Sequence, residues 1–206
     1  MTRLERRERE RAERRQAIVN AARELAESEG WEAVTTRRLS DRIEYSQPVL
    51  YSHFENRDAI IEAVAVEGFG ELAVAMHQGK SKARSLEVAL RGTARAYVEF
   101  AKANPALYDA MFTLATDLPF GRPEAPVQLH DAFDEIRKAV EPLAGSRDPE
   151  TLTEVVWSSM HGLASLARAG RLRPDFHEQR MAILVDLLIS GKRNPVPVVG
   201  DPDAGP

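Results

Sequence analysis

The chain has 206 residues, 43% hydrophobic and 29% charged, with a formal net charge of −4; that length suits one large domain or two small ones. It has no cysteine, which excludes a disulfide framework, a thiolate zinc site and a cysteine nucleophile, and suits a reducing cytoplasm. No apolar run approaches the roughly 18 residues that span a bilayer, so no membrane partner is expected, the N-terminus is too charged for a signal-peptide core, and the net acidity leaves any DNA affinity to locally placed cations.

Residues 1–13 read as a charged N-terminal arm. Residues 1–15 hold seven arginines and four glutamates, a surplus of three positive charges. Glu5–Arg9 and Glu10–Arg14 have the i,i+4 order that favours ion pairing along a helix. The arm reads either as a self-paired charged helix or as a segment that touches phosphates or the minor groove. From Arg15 the pattern turns amphipathic, with Ile18, Ala21, Ala22, Leu25 and Ala26 on one face. Gly30 can cap the end of that helix, and Trp31 and Val34 return to the core.

A second helix starts at Thr35, a good N-cap, with Thr36, Leu39 and Ile43 inward. The turn is Glu44-Tyr45-Ser46, and Ser46 is placed to cap a short third helix with Pro48 in its first turn. Leu50 and Phe54 point inward, which leaves Gln47, Pro48, Tyr51 and His53 outside. Asn56 caps the next helix, with Arg57 in its first turn. Two short helices joined by a tight turn, the second ending in Tyr51-Ser52-His53-Phe54, suit a helix-turn-helix that presents its second helix to the major groove of DNA.

These residues resemble the DNA-binding domain of the TetR family of transcriptional regulators. The family pattern T-x-x-x-I-A-x-x-A-G-V-S-x-x-x-L-Y-x-H-F-x-x-K is matched here by Thr35, Leu39-Ser40, Ile43, Glu44-Tyr45-Ser46, Leu50-Tyr51, His53-Phe54 and Arg57. The resemblance covers roughly residues 14–74. It implies that Thr35 holds a phosphate at a helix start and that Arg37 and Arg38 lie near the DNA backbone. Ser46, Gln47 and Pro48 would open the recognition helix, with Gln47 able to pair with an adenine edge. Tyr51 would lie along the groove, and His53 and Arg57 would clamp phosphates. Two departures stand out. Glu44 replaces the turn glycine, which is strained if that position needs a positive φ. Arg57 replaces a lysine.

Beyond this domain the chain reads as helical, with no strand pattern. Asp58 to about Met76 forms a connector, and 82–104 a long helix stopped by Asn104-Pro105. Ala106–Ala115 gives a short helix. Thr116–Pro126 is a loop with three prolines, and 127–143 is helical again. Two further helices are expected at about 149–169 and 175–190. The proline- and glycine-rich tail 191–206 reads as disordered. The fold class is therefore all-α, about nine helices in total: an N-terminal three-helix bundle carrying the helix-turn-helix (14–74) and a larger C-terminal ligand-binding and dimerisation domain (75–190).

The last two helices are apolar over more than one stripe, with Leu152, Val155, Val156, Trp157, Met160, Leu163 and Leu166 on one and Ile183, Leu184, Leu187 and Leu188 on the other. Gly162 would let another helix come close. This suits a homodimer whose subunits each give two helices to a four-helix bundle, as the resemblance also implies. Trp157-Ser-Ser-Met-His161-Gly162 resembles the W-x-x-x-H-G signature of one C-terminal class of the family. A regulator of this kind would sense a small molecule. Tyr97, Phe100, Tyr108, Met111, Phe112, Phe133, Trp157 and His161 are the pocket candidates, each of which could equally be core. Their lining predicts a hydrophobic effector.

The expected function is a sequence-specific DNA-binding regulator, by family default a repressor, released from a palindromic operator by its ligand. Two other readings are a helical interaction module that has lost DNA binding and a small helical enzyme. For the enzyme, His130, Asp131, Asp134 and Glu135 could suggest acid–base chemistry, but beside Phe133 and Ile136 they read as a solvated helix face. The five histidines lack metal-ligand spacing. No catalytic residue, metal or cofactor is expected.

Overall fold

In the computed structural model, which describes residues 2–114 and 116–193, the charged arm and the amphipathic stretch after it form one continuous helix, α1 (Arg3–Glu29). A capping box starts it. The Thr2 hydroxyl accepts from the Glu5 amide at 3.2 Å and the Glu5 carboxylate accepts from the Thr2 amide at 2.8 Å, which satisfies donors that a helix start leaves open. Glu10 pairs with Arg6 (3.5 Å) rather than with the expected Arg14, and Arg9 with Glu13 (3.4 Å). Gly30 ends α1 at φ 82°, its amide donating to the Ala26 carbonyl at 2.8 Å. A 3-10 turn at Trp31–Ala33 leads on to α2 (Thr36–Ile43), α3 (Gln47–Tyr51) and α4 (Arg57–Lys80).

Then follow α5 (Leu86–Ala103), α6 (Pro105–Phe112), α7 (Val127–Val140), α8 (Pro149–Arg168) and α9 (His177–Arg193). Helix α5 starts four residues later than its pattern suggests, because the Ser85 hydroxyl accepts from the Val88 amide at 3.3 Å and caps it there. Residues 141–143 leave α7 as a 3-10 turn, with Pro142 unable to donate to the ladder. Helix α9 runs through Gly191 to Arg193, past the expected end. The tail expected to be disordered lies, from residue 194 on, outside the described residues. No helix among them is long and apolar enough to cross a membrane.

The chain forms two compact units. The first joins the residues up to Glu71 with Ala103–His130. Here α6 docks on α1 through polar contacts at its open start. Glu27 accepts from the Ala106 and Leu107 amides at 3.1 and 2.9 Å, and the Trp31 indole donates to the Ala106 carbonyl at 2.7 Å. Glu27 thus does the capping that Asn104, at the N-cap position, does not. Arg23 reaches both Glu71 and Asn104. Gly68 admits the Leu107 and Met111 side chains, and Phe69 meets Phe112 edge to face at 5.2 Å.

The second unit joins Leu72–Lys102 with the described residues from Asp131 onward. The end of α4 crosses α5 at two glycines, where a Cβ on Gly79 would stand 2.6 Å from the Gly92 carbonyl oxygen. No side chain fits there. Tyr97, Leu143, Met160, Met181 and Val185 form part of the core. Glu135, which the sequence pattern placed on a solvated face, is buried. Its Oε2 lies 2.8 Å from the Lys80 ammonium and its Oε1 3.2 Å from that of Lys138, while Lys80 also donates to the Glu135 main-chain carbonyl at 2.6 Å. Burial raises the pKa of this carboxyl, but the two lysines outweigh it and hold the group below its ordinary value.

Candidate nucleic-acid interface

The two short helices owe their geometry to a few fixed points. The Thr35 hydroxyl accepts from the Arg38 amide at 3.3 Å and starts α2. Leu39 is fully buried, while Thr36 and Ile43, expected inward with it, are half-buried. Glu44 ends α2 in the left-handed region at φ 56°, ψ 33°. The position therefore does need the conformation that glycine adopts most easily. Ser46 stands at the N-cap of α3, but its side chain makes no cap bond. Its carbonyl instead receives the Val49 and Leu50 amides at 3.0 and 3.3 Å, and Pro48 removes a donor the first turn could not satisfy.

Buried Leu50 and Phe54 pin α3 from beneath. With that face fixed, Gln47, Pro48 and Tyr51 turn outward, Tyr51 with 53% of its surface exposed. A tyrosine held this far out by its own neighbours on so short a helix gains little from packing. Thr35, Arg37, Arg38 and Ser46 are also exposed, and His53 and Arg57 are half-buried.

The cations divide into engaged and open ones. Arg38 forks onto Glu29 at 2.9 and 2.7 Å, and Arg42 reaches Glu24 at 3.0 Å. The Arg57 guanidinium donates to the carbonyls of Val34 (2.8 Å) and Trp31 (2.6 Å). Arg57 therefore ties the start of α4 to the turn before α2, a fork that a lysine cannot reproduce. Arg37 has no such partner among the described residues. Arg15 lies 4.2 Å over the Phe54 ring and donates to the His53 carbonyl at 3.5 Å.

Beside His53 lies a groove of about 430 Å³ lined by Arg7, Glu10, Arg11, Arg14, Ser52 and His53. Burial lowers the His53 pKa, and the charges of Arg11, Arg14 and Arg15 lower it further. The sequence signal for this groove was the spacing of Arg7, Arg11 and Arg14. The i,i+4 pairs Glu5–Arg9 and Glu10–Arg14 do not single out that face, although one reading of the arm already has it touching phosphates.

The pocket candidates fall in both units. Tyr108, Met111 and Phe112 belong to the first, where Tyr108 and Phe112 pack at 4.7 Å. Tyr97, Phe100, Phe133, Trp157 and His161 belong to the second. There the Trp157 indole donates to the Tyr97 hydroxyl at 3.1 Å, and His161 meets the Ser165 hydroxyl at 3.2 Å. Burial lowers the His161 pKa, with a further push from Arg168. A cavity of about 10 Å³ in this unit, roughly one water in size, is lined by none of these candidates but by aliphatic side chains such as Leu90, Ile136, Val156 and Leu188.

A chain whose described residues form helices alone, with a helix-turn-helix in its first unit, belongs to the class of helix-turn-helix regulators. Comparison with known proteins makes this specific. Residues 18–64 match the family described as bacterial regulatory proteins, tetR family, and residues 90–190 the tetracyclin repressor-like C-terminal domain. The chain belongs to the TetR family.

It is 37% identical over 93 residues to YobS of Bacillus subtilis (strain 168), an uncharacterised HTH-type transcriptional regulator, covering 45% of this chain and 48% of that one. It is 45% identical over 51 residues to the class C tetracycline repressor of Escherichia coli, covering 25% and 23%. The match thus spans less than half the length of these curated relatives. A Rhodococcus sp. RHA1 protein of unknown function shares the fold, with a TM-score of 0.73 at 23% identity over 86% of this chain and 94% of that one.

Proposed function

We propose that the protein is a sequence-specific DNA-binding transcriptional regulator that works as a homodimer in the cytoplasm. The observation that carries this reading is α3. Leu50 and Phe54 fasten it, and Gln47, Pro48 and Tyr51 stand free on its outer side. In the proposed complex Ser46, Gln47 and Pro48 meet base edges and Tyr51 lies along the groove. Thr35, Arg37 and Arg38 take backbone phosphates, Arg38 by exchanging Glu29 for a phosphate. His53 flanks the groove, and Arg57 acts chiefly by positioning α2 through its two carbonyl bonds.

The dimer would form through α8 and α9, where Val155, Leu166, Ile183 and Leu187 lie exposed. Two copies of α3 about 34–36 Å apart would then read a palindromic operator. Trp157, His161 and Gly162 support a C-terminal domain of the W-x-x-x-H-G class. Repression is taken from the family default and from the name of the class C relative. The effector would be a small hydrophobic molecule that enters the largely apolar second unit, enlarges its small cavity and favours a dimer with misplaced recognition helices. A coupling of about 1–3 kcal/mol would change operator affinity about 5- to 150-fold.

The test is binding of the purified protein to mixed-sequence duplex DNA across a salt series. A steep inverse dependence on salt supports the regulator. A folded dimer without such binding would make the chain an interaction module instead.

A further inference from the structure

Continuity of α1 changes what its arginines can do. At 3.6 residues per turn, Arg7, Arg11 and Arg14 fall within about 60° of one face and span about 10 Å of axis. That face borders Ser52 and His53, which follow α3 directly. On the other sides of α1, Arg6 is paired with Glu10 and Arg9 with Glu13. Arg7, Arg11 and Arg14 have no ion pair among the described residues, and the one acidic lining residue, Glu10, is engaged by Arg6. One continuous helix therefore holds three open guanidinium groups beside a half-buried histidine whose pKa already registers two of them, Arg11 and Arg14. Like charges gathered on one exposed face repel one another, and a bound anion relieves that repulsion. Their axial span matches the rise of about three base pairs.

We propose that Arg7, Arg11 and Arg14, with His53, form a site for consecutive backbone phosphates of duplex DNA, contiguous with the helix-turn-helix and bordered by Ser52, whose hydroxyl donates to the Val49 carbonyl. The inference rests on the DNA-binding reading and extends its footprint onto the N-terminal half of α1. The Thr2–Glu5 capping box closes the start of that half and so favours its helical form before contact.

The test compares two doubly substituted proteins of equal net charge on a mixed-sequence duplex several helical turns long. One, the open-face protein, carries Arg7→Gln and Arg11→Gln; the other, the paired-face protein, carries Arg9→Gln and Arg91→Gln, two arginines held by Glu13 and Glu87 outside the groove. Gln keeps helix propensity, and circular dichroism checks helix content. The open-face protein should show a log affinity against log salt slope shallower by about 1.8 per protomer, at about 0.9 per phosphate contact. The paired-face protein should keep the parent slope, and Arg7→Lys with Arg11→Lys should restore it. Equal changes in both Gln proteins would mean a general charge effect and overturn the site. An unchanged open-face slope, while Arg37→Gln weakens binding, would overturn the site and leave the DNA-binding reading intact. A parent protein with no salt-dependent binding would overturn both.

Discussion

Ser40 and Glu44 carry the tension in the helix-turn-helix, and they do so in different ways. Ser40 is buried and its hydroxyl has no hydrogen-bond partner among the described residues. An unpaired buried hydroxyl costs about 1–3 kcal/mol, and the family pattern places alanine there. Ser40→Ala should therefore raise stability by about 1 kcal/mol, seen as a higher urea midpoint with unchanged slope; an unchanged or lower midpoint contradicts the assignment. Glu44 is exposed and left-handed. Glu44→Gly should stabilise by about 0.5–1 kcal/mol by relieving backbone strain, net of the greater freedom of an unfolded glycine. A loss of stability in thermal melts would show that the Glu44 side chain contributes more than its backbone conformation costs. The glycine-to-glutamate departure was legible in the sequence because the φ demand of a turn is local. The unpaired Ser40 hydroxyl was not, because burial without a partner depends on what the neighbouring helices leave uncovered.

Amphipathic periodicity made nearly every helix legible, since each buries one stripe. Two kinds of error remained. Boundaries moved where side chains capped a helix, as Ser85 does for α5. Charged residues moved inward where a partner came from far along the chain, as Lys80 does for Glu135. That pair gives the element scale its first prediction. Removing one member of a buried ion pair leaves the other uncompensated, at about 3 kcal/mol. Glu135→Gln should lower stability by about that amount at neutral pH. The folded-state carboxyl lies below its ordinary value of 4.5. Its contribution is therefore present above 4.5 and lost as pH falls through the folded value. The gap between parent and variant should shrink on acidification below 4.5, and a gap that stays constant would rule out the ion pair as its source.

A second element-scale prediction concerns α8 and α9. Ile183 and Leu187, 51% and 66% exposed, lie one turn apart on α9. A Cβ at Gly162 would meet nothing within 4 Å in the chain. Ile183→Glu with Leu187→Glu should yield a folded monomer in sedimentation velocity. Gly162→Ala should also weaken self-association if a partner helix packs there, whereas in a monomer it would only raise helix propensity, by about 1 kcal/mol. Dimers that survive both changes would place the interface elsewhere.

At the scale of the whole molecule, a net charge of −4 leaves the proposed DNA-facing charge to a few positions. Arg37 is open, Arg38 is held by Glu29, and the face of Arg7, Arg11 and Arg14 would extend the proposed surface beyond α3. In the proposed complex the exposed side chains of α3 would supply sequence preference, and the dimer would supply symmetry. Neither suffices alone, because one five-residue helix touches too few base pairs to single out a site among many non-specific ones. The most direct measurement is the sequencing of DNA fragments selected from a random pool by the purified full chain. The account predicts an enriched motif with inverted half-sites about one helical turn, 10–10.5 base pairs, or a whole multiple apart, lost when Tyr51→Ala is used for the selection. Recovery of no motif, or of an unsymmetrical one from a stable dimer, would contradict it.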